Sequence, residues 1–223
     1  MMYITAYPLT QRINPMRKLL LTTAAVAAAI GLAGCGDNIG TFTDTRDGQT
    51  YKTVKIGKQT WMAQNINYKT NSSWCYNDDT SYCNKYGRLY NWKTAQTACP
   101  AKYHLPSREE WDQLAKSVGG RKSDHYNSWH HWLDAGKKLK STSGWYNNGN
   151  GTDNVGFSAL PGGIRYSDGD FNDAGRSGFW WMATERNSGS DYNRFVYYYD
   201  DYVYEGNYNK SYGFSVRCVA DRP

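Results

Sequence analysis

The alternation of apolar and polar residues predicts a chain of short strands joined by turns. Residues 47–65 ("DGQTYKTVKIGKQTWMAQN") indicate a hairpin, because β-branched and aromatic residues stand on both sides of the turn signal Gly57-Lys58. Further strands are predicted over Phe179–Glu185 ("FWWMATE") and Arg194–Tyr204 ("RFVYYYDDYVY"). Most of the regular structure is therefore expected to be β.

The last predicted strand, "SYGFSVRCV", carries the clearest alternation. Successive side chains in a strand point to opposite faces, so one set is expected to face the core and the other the solvent. The inward set is Tyr212, Phe214, Val216 and Cys218, and the outward set is Gly213, Ser215 and Arg217. By the same rule, only one of the adjacent Trp180 and Trp181 is expected to face the core.

Two short helices are predicted by apolar positions three and four residues apart. The first carries Trp92, Ala95 and Ala98 and is ended by Pro100. The second begins with a capping box, in which the Ser107 hydroxyl accepts a hydrogen bond from the first turn and the Glu110 carboxylate reaches back. Its apolar stripe consists of Trp111, Leu114, Ala115 and Val118, and Gly119-Gly120 ends it. Together, strands and helices predict an α+β fold.

Residues 1–35 have the pattern of an export signal, with Arg17-Lys18 ahead of an apolar run that is too short to be a permanent membrane anchor. The end of this run is similar to the lipobox of bacterial lipoproteins, in which the cysteine, here Cys35, receives a diacylglycerol and becomes the first mature residue. A plain secretory signal with a chance cysteine is the alternative. Residues 1–15 are explained by a mis-assigned start or a long n-region. The expected location is the bacterial envelope, at the outer membrane or cell surface.

The charge of the chain changes once the signal is set aside. The formal net charge is +6, and residues 1–35 supply three positive charges and no negative ones, so the remainder carries +3. No cluster of Lys and Arg survives, and nucleic-acid binding loses its main support. We expect a polar tether over residues 36–45 and a single domain over residues 46–221.

Four cysteines follow Cys35, and in an exported chain an even number implies two disulfides with three possible pairings. Cys75 and Cys83 flank the turn-rich "YNDDTSY", so a short loop between them closes easily, and Cys99 then pairs with Cys218. The longer closure is expected to stabilise the fold by on the order of 4 kcal/mol. Zinc is the competing explanation, but the sequence has no Cys-x-x-Cys and no nearby His pair.

Several motifs, in order from about Asp47 to Asp221, resemble the Fibrobacter succinogenes major paralogous domain family. They are "WCYNDDTSYCNKYGRLYNWKTAQTACPAKYHLPSREEWDQL", "AGKKLKS", "GNGTDNVGFSALPGGIRYSDGDF", "GFWWMATE" and "YGFSVRCV". The resemblance implies an exported bacterial surface protein, often a lipoprotein, with no settled biochemical activity. It also implies a C-type lectin-like fold, shared by formylglycine-generating (sulfatase-modifying) enzymes, here with two short helices, small antiparallel sheets and long structured loops.

In lectin-like domains a helix ends at a cysteine, an "HL" strand and a Ser-x-x-Glu helix follow, and that cysteine bonds one in the final strand. The stretches "AQTACPAKYHLPSREEW" and "FSVRCV" are similar to this plan. The resemblance therefore implies that Cys99 and Cys218 are structural anchors.

A calcium site is considered where Asp168, Asp170, Asn172 and Asp173 bring oxygen ligands together in a Gly-flanked loop. The loop departs from an EF-hand, because its sixth position is Asp173 instead of Gly and its twelfth is Phe179 instead of Glu. The chain also lacks the Glu-Pro-Asn and Trp-Asn-Asp motifs of calcium-dependent lectins. Solvated turn residues are the favoured interpretation, and no cofactor is expected.

No motif in the chain indicates catalysis. The formylglycine-generating enzymes need a pair of redox-active cysteines near the C-terminal end, where this sequence has only Cys218. The Gly-x-Ser-x-Gly and His-Glu-x-x-His motifs are missing. His104 is assigned to a strand, the histidines of "HYNSWHH" to a polar helix face or loop, and Glu185 has no identifiable partner carboxylate. We therefore expect that the protein is not an enzyme.

Aromatic side chains are the remaining candidates for a binding site, since the chain has 20 Tyr and 9 Trp. Eight aromatic residues between Tyr192 and Tyr208 are too many to face inward together on alternating strands. Rings that face outward suit sugar stacking or protein contact, and the alternative is that they pack against one another to form a core short of Leu and Ile. The candidate ligand-binding residues are Trp145, Tyr146, Tyr166, Phe171, Tyr192, Tyr198, Tyr202 and Tyr204.

These features predict a lipid-anchored, non-catalytic binding or adhesion module. Its expected partners are the membrane, through the lipid, and a glycan or a surface protein. The alternatives are an enzyme of the formylglycine-generating type and a structural coat component without a small ligand.

Overall fold

A computed structural model describes residues 38–123 and 131–221 of the chain. The strands are β1 (Ile39–Thr43), β2 (Thr50–Ile56), β3 (Gln59–Met62), β4 (Ser73–Trp74), β5 (Leu89–Tyr90), β6 (Tyr103–His104), β7 (Arg121–Lys122), β8 (His131–Leu133), β9 (Gly162–Arg165), β10 (Phe171–Ala174), β11 (Ser177–Trp181), β12 (Ser190–Tyr197), β13 (Val203–Asn209), β14 (Phe214–Ser215) and β15 (Val219–Ala220). The helices are α1 (Thr80–Tyr86), α2 (Trp92–Ala95), α3 (Arg108–Ser117) and α4 (Ala135–Leu139). The predicted α+β class is confirmed, with four α-helices in the described ranges rather than two.

The smaller sheet is antiparallel and has the strand order β1-β2-β3-β15-β6. The predicted hairpin is confirmed, because β2 and β3 pair across a turn in which Gly57 has a φ of +61°. β1 lies within the range expected to be a tether, since residues Ile39–Thr43 pair one by one with β2. Ordered pairing therefore begins ahead of residue 46.

The larger sheet runs in the order β4-β5-β14-β11-β12-β13-β8-β7, with β9 paired to β11 and β10 paired to β9. The prediction of one strand over Arg194–Tyr204 is wrong, because β12 and β13 form an antiparallel hairpin. The carboxylate of Asp200 accepts a hydrogen bond from the backbone N–H of Tyr202 (3.0 Å), and this side-chain turn reverses the chain. We call residues 198–202 the hairpin tip.

The central strand β11 has a hydrophobic core on each face. Trp180 packs with Trp111 of α3, and Trp181 packs with Phe214 of β14. Their exposed fractions are 2% and 0%, so the prediction that one of them faces solvent is wrong. Alternation still places the two rings on opposite faces, but both faces are covered.

The final segment also departs from the predicted alternation, because Ser215 and Arg217 are as buried as their apolar neighbours. The chain leaves the larger sheet after β14 and joins the smaller sheet at β15, so the residues between the two strands are enclosed by both. The guanidinium of Arg217 donates to Asn65 Oδ1 (3.0 and 2.9 Å) and to the carbonyl oxygens of Met62 (3.2 Å) and Phe157. Burial lowers the pKa of Arg217 to about 9, so the group remains a cation at neutral pH.

The predicted capping box and both predicted disulfides are confirmed. Glu110 N donates to Ser107 Oγ (3.2 Å), and Ser107 N donates to Glu110 Oε2 (2.9 Å). The disulfides are Cys75–Cys83 and Cys99–Cys218, separated by 8 and 119 residues. The second one joins the end of the α2 region to the entry of β15.

His104 links α3 to the smaller sheet. Its Nδ1 lies 2.7 Å from Asp221 Oδ1, and its Nε2 lies 2.9 Å from Glu110 Oε1. Burial lowers the pKa of His104, but hydrogen bonds to Asp221 and Glu110 outweigh it, so the pKa stands above the ordinary value of 6.5. The side chain is therefore a structural clamp between two carboxylates.

Candidate functional site

Tyrosine rings cover one face of the larger sheet. Phe195 of β12 stands opposite Phe179 of β11 and Tyr204 of β13, and its ring stacks on Tyr204 at 5.0 Å. Tyr197 lies 5.2 Å from Phe195, and Tyr208 lies 5.9 Å from Phe179. The two phenylalanines are buried, whereas the tyrosines around them are partly exposed. We call this layer the tyrosine face, and its members are Tyr197, Tyr204, Tyr208 and Tyr212.

The tyrosine face presents neutral hydroxyl groups along an extended surface. Tyr204 and Tyr208 are four residues apart on β13, which corresponds to about 13 Å along a strand. Burial raises the pKa of Tyr197, Tyr204 and Tyr208 above the ordinary value of 10.0. Their hydroxyls therefore keep their protons at physiological pH and are available as hydrogen-bond donors, although Tyr204 already donates to Asp200 Oδ2 (2.6 Å).

The most exposed rings lie at and beside the hairpin tip. Tyr199 and Tyr146 have exposed fractions of 64% and 52%, and among large hydrophobic residues of the described ranges only Ile39 is comparable, at 66%. Both rings contact Tyr198, at 5.2 and 5.3 Å between centroids. Tyr199 also stacks on Tyr197 at 5.0 Å, so the exposed rings continue the tyrosine face.

A buried lysine and a glycine hold the backbone of the hairpin tip in place. Lys140 Nζ donates to the carbonyl oxygens of Tyr197 (3.2 Å) and Asp200 (2.8 Å), and burial lowers its pKa. Gly149 lies so close to the Tyr198 carbonyl that a Cβ atom would overlap it. These contacts fix the backbone from which Tyr199 projects, so the ring is presented with little conformational freedom to lose on binding.

A polar cavity of about 350 Å³ opens beside these rings. We call it the tip cavity, and its lining includes Lys137, Lys140, Asn147, Asn148, Asn150, Tyr198, Tyr199, Asp200 and Asp201. The two lysines and the two aspartates balance in charge. Asn147 and Asn148 adopt positive φ values (49° and 59°), and within residues 38–123 and 131–221 their side-chain amides have no hydrogen-bond partner. Amides of this kind can donate to and accept from a ligand's hydroxyl groups.

A second, open cavity of about 720 Å³ lies at the other end of the tyrosine face. We call it the acidic groove, and its lining residues are Asn77, Asp78, Tyr166, Asp168, Gly169, Asp170, Phe171 and Asn172. Tyr166 makes an edge contact with Tyr212 at 5.5 Å, which connects the groove to the tyrosine face. Phe171 lies 5.3 Å from Tyr76 and forms the opposite wall.

The residues considered for calcium lie in and beside the acidic groove, where the backbone uses two of them. Asp168 Oδ1 accepts a hydrogen bond from Asp170 N (3.1 Å), and Asn172 Oδ1 accepts one from Asp173 N (2.8 Å). Among the described residues, no group of three or more His, Cys, Asp or Glu side chains is arranged to hold a metal ion. Asp168 and Asn172 therefore act as turn-forming groups in this loop.

The structure separates some of the predicted ligand-binding residues. Trp145 is buried, and its Nε1 donates to Ser141 Oγ (3.0 Å). The prediction that this ring lies at the surface is therefore wrong. The core takes it up because aliphatic side chains are scarce. Tyr192 lies on the opposite face of the sheet, where the Arg108 guanidinium sits 5.1 Å from its ring. Tyr202 stacks on His131 at 5.5 Å. Tyr166 and Phe171 line the acidic groove, Tyr198 lines the tip cavity, and Tyr204 belongs to the tyrosine face. Tyr146 lies beside the tip cavity, where its ring contacts Tyr198.

Several residues of this surface were missing from the predicted ligand-binding set: Lys140, Asn147, Asn148, Tyr197, Tyr199, Tyr208 and Tyr212. Tyr212 was predicted to face the core, but it is partly exposed. The paired aspartates of "YYYDD" and the "NNG" triplet are turn signals that place Tyr199 and the two asparagines at chain reversals. No sequence signal marks Lys140, because a lone lysine is ordinarily solvated.

The candidates for catalysis occupy structural positions. Glu185 is exposed and forms an ion pair with Lys210 (2.6 Å), and Cys218 is held in its disulfide. Cys35 and the histidines His125 and His130 lie outside the described residues. No helix in the described part of the chain has the length and apolar character needed to cross a membrane.

Comparison with protein families gives one match. The model of the Fibrobacter succinogenes major domain matches residues 54–220, from within β2 to the end of β15. This range contains the tyrosine face, both cavities and both disulfides. No curated protein and no solved structure matches the chain.

Proposed function

The chain belongs to the Fibrobacter succinogenes major domain family, and we propose that it acts as a non-catalytic binding or adhesion module of the bacterial envelope. The ligand is a glycan or a protein that contacts the tyrosine face and the hairpin tip. One observation carries this proposal, namely that Tyr199 on the fixed hairpin tip and Tyr146 on the turn packed against it are both more than half exposed.

Apolar ring surface left in water costs free energy, which contact with a ligand recovers. Flat rings with a polar edge favour contact with sugars and with protein surfaces, because they offer apolar area and a hydroxyl group together. Tyrosine loses little side-chain entropy when it binds. Because Lys140 and Gly149 already fix the hairpin tip, most of the ordering cost is met on folding rather than on binding.

We take the architecture to be C-type lectin-like. Its support is the disulfide from Cys99, which follows α2, to Cys218, together with β6 and the capped helix α3 that come next along the chain. An oxidase of the formylglycine-generating type needs two redox-active cysteines, whereas the four cysteines of the described residues form disulfides. A binding role uses this scaffold without such a pair.

The module is tethered through a lipid on Cys35 in this proposal. The test is metabolic labelling with an alkyne fatty acid in a bacterial host, followed by membrane fractionation of the full chain. Label and membrane association are expected for the unchanged protein and not for Cys35→Ser. Equal labelling of both proteins would rule out this anchor.

The binding role is tested with the full chain in detergent on an array of glycans and plant polysaccharides, with and without calcium, and by pull-down of envelope proteins. Tyr146→Ala and Tyr199→Ala are expected to lose the captured ligand, while Ile39→Ala, an equally exposed apolar residue on β1, keeps it. Loss of binding on calcium removal would assign the acidic groove a metal. Captured ligands that are unaffected by both tyrosine changes would contradict the assignment of the site, and a blank in both assays would favour a coat component.

A further inference from the structure

We propose that the ligand is an extended, neutral polysaccharide that runs from the acidic groove, across the tyrosine face, to the tip cavity. This inference rests on the proposed binding function and specifies its ligand class. It follows from the way the two cavities are joined, from the kind of groups that line them, and from the distribution of charge.

The two cavities are joined by an unbroken series of ring contacts. Tyr166 in the groove contacts Tyr212 at 5.5 Å, and Tyr212 contacts Tyr208 at 5.9 Å. The buried phenylalanines then connect Tyr208 to Tyr197, which stacks on Tyr199 at the hairpin tip. The exposed rings at both ends therefore belong to one aromatic layer, and a ligand that touches both ends lies across it.

The backbone beside this path is continuous as well. β10 begins at Phe171 in the groove, and the turn that follows it reaches the tip, where Tyr146 N donates to Gly175 O (2.7 Å) and Tyr198 N donates to Arg176 O (2.8 Å). The Arg176 guanidinium lies 4.7 Å from the Tyr146 ring. The two sites are thus parts of one surface of fixed spacing rather than two separate pockets.

The lining groups favour a sugar chain over a protein. A polysaccharide offers C–H faces for stacking on rings and hydroxyl groups for amides and carboxylates, in alternation along its length. This surface presents polar groups at each end, the asparagines of the tip cavity and of the groove, and aromatic rings between them. A single sugar reaches one cavity only, because Tyr204 and Tyr208 alone span about 13 Å.

The charge distribution favours a neutral polysaccharide over an acidic one. The groove is lined by Asp78, Asp168 and Asp170. One guanidinium, that of Arg165, lies beside it, donating to Tyr166 O (3.2 Å) at 5.8 Å from the Phe171 ring. Three carboxylates against one cation leave the groove net acidic, which disfavours uronic acids and sulfates. In the tip cavity, positive and negative side chains are equal in number. A neutral chain meets no such penalty at either end.

The experiment is calorimetric titration of the full chain with oligosaccharides of one to six units from neutral glucan, xylan and mannan, and with an oligouronate series. We expect the affinity for one neutral series to rise at least tenfold from the dimer to the hexamer. Tyr199→Ala should weaken every length, whereas Tyr166→Ala should remove the gain with length and leave dimer binding unchanged. Asp170→Lys, an exposed change in the groove, should reduce the rise in affinity with length for neutral chains and improve the binding of oligouronates. This variant tests the role of the groove if Tyr166→Ala does not fold.

The outcomes separate this inference from the proposed function. Equal affinity for dimer and hexamer would overturn the extended path while the binding role stands. Tighter binding of oligouronates by the unchanged protein would overturn the neutral ligand. Capture of a protein partner through Tyr199, with no sugar bound at any length, would overturn the polysaccharide and retain a binding module.

Discussion

Replacement of Arg217 by Met tests whether the buried guanidinium organises the junction of the two sheets. The side chain is fully buried and lies 4.4 Å from the ring of Phe157, and among the described residues it forms no ion pair. Its hydrogen bonds go to Asn65 Oδ1 and to the carbonyl oxygens of Met62, Phe157 and Ser158.

The magnitude follows from the acceptors that the change leaves behind. Asn65 Oδ1 still accepts from Trp180 Nε1 (2.9 Å), but the three carbonyl groups lose a donor, at about 1–3 kcal/mol for each buried group that stays unpaired. Removal of a buried cation returns part of this cost, because its desolvation is relieved. We therefore expect Arg217→Met to lower the free energy of unfolding by about 3–5 kcal/mol, the lower half of the ~3–9 kcal/mol that three unpaired acceptors would cost.

The assay is urea unfolding followed by tryptophan fluorescence, with both disulfides intact. Arg186→Met is the matched control, since Arg186 is exposed and its guanidinium donates to Ser190 Oγ (3.3 Å) and Asn207 Oδ1 (3.0 Å). The backbone N–H of Arg186, which donates to Asp191 Oδ1, is unaffected by the change, so the loss is expected to be about 0.5 kcal/mol or less. Arg217→Lys keeps the charge but loses the forked geometry, so it should fall between the two. A loss for Arg217→Met no larger than that of the control would refute the reasoning. It would mean that the hydrogen bonds of the buried guanidinium do not outweigh the free energy of its desolvation.

Three further outcomes are expected. Serine in place of both Cys99 and Cys218 should lower the free energy of unfolding by about 4–5 kcal/mol, because the bond spans 119 residues. A loss smaller than that caused by removing the Cys75–Cys83 disulfide, which spans eight residues, would contradict the entropic argument. The raised pKa of His104 means that its contribution to stability is fully present below pH 6.5 and is lost as pH rises through the folded pKa. His104→Gln should therefore flatten the decline of the urea midpoint with rising pH. An unchanged pH profile would refute the clamp. Gly149→Ala should destabilise the domain by about 1–3 kcal/mol and weaken ligand capture, since its Cβ overlaps the Tyr198 carbonyl, whereas Gly189→Ala, with nothing closer than 3.9 Å, should do neither.

Much of the local structure was predictable from the sequence, because neighbouring residues decide it. The hairpin over residues 47–65 depends on a glycine turn between strand-forming residues. The start of α3 depends on Ser107 and Glu110, which are only three residues apart. The short disulfide closes around a turn, and once it is set only one pairing is left for the other two cysteines.

The candidate site was predicted only in part. The sequence indicated that the tyrosines of β12 and β13 exceed what a core can hold, and the tyrosine face agrees with that expectation. It did not indicate which rings are exposed, because Trp145 and Tyr192 have the same local character as Tyr146 and Tyr198. Exposure depends on what other segments cover, and those segments are distant along the chain.

By itself, the sequence determined the α+β class, the capped helix, the disulfides and the excess of aromatic rings, since propensity, turn chemistry and composition act over a few residues. Only the tertiary structure decided that Trp180 and Trp181 are both buried and that Arg217 is enclosed, because β11 has a core on each face and the final segment passes between two sheets. It also decided that Tyr199 projects from a fixed tip, because Lys140 reaches that loop from residues some 60 positions earlier in the chain. Alternation along a strand states which side chains share a face, but long-range packing settles whether that face meets water.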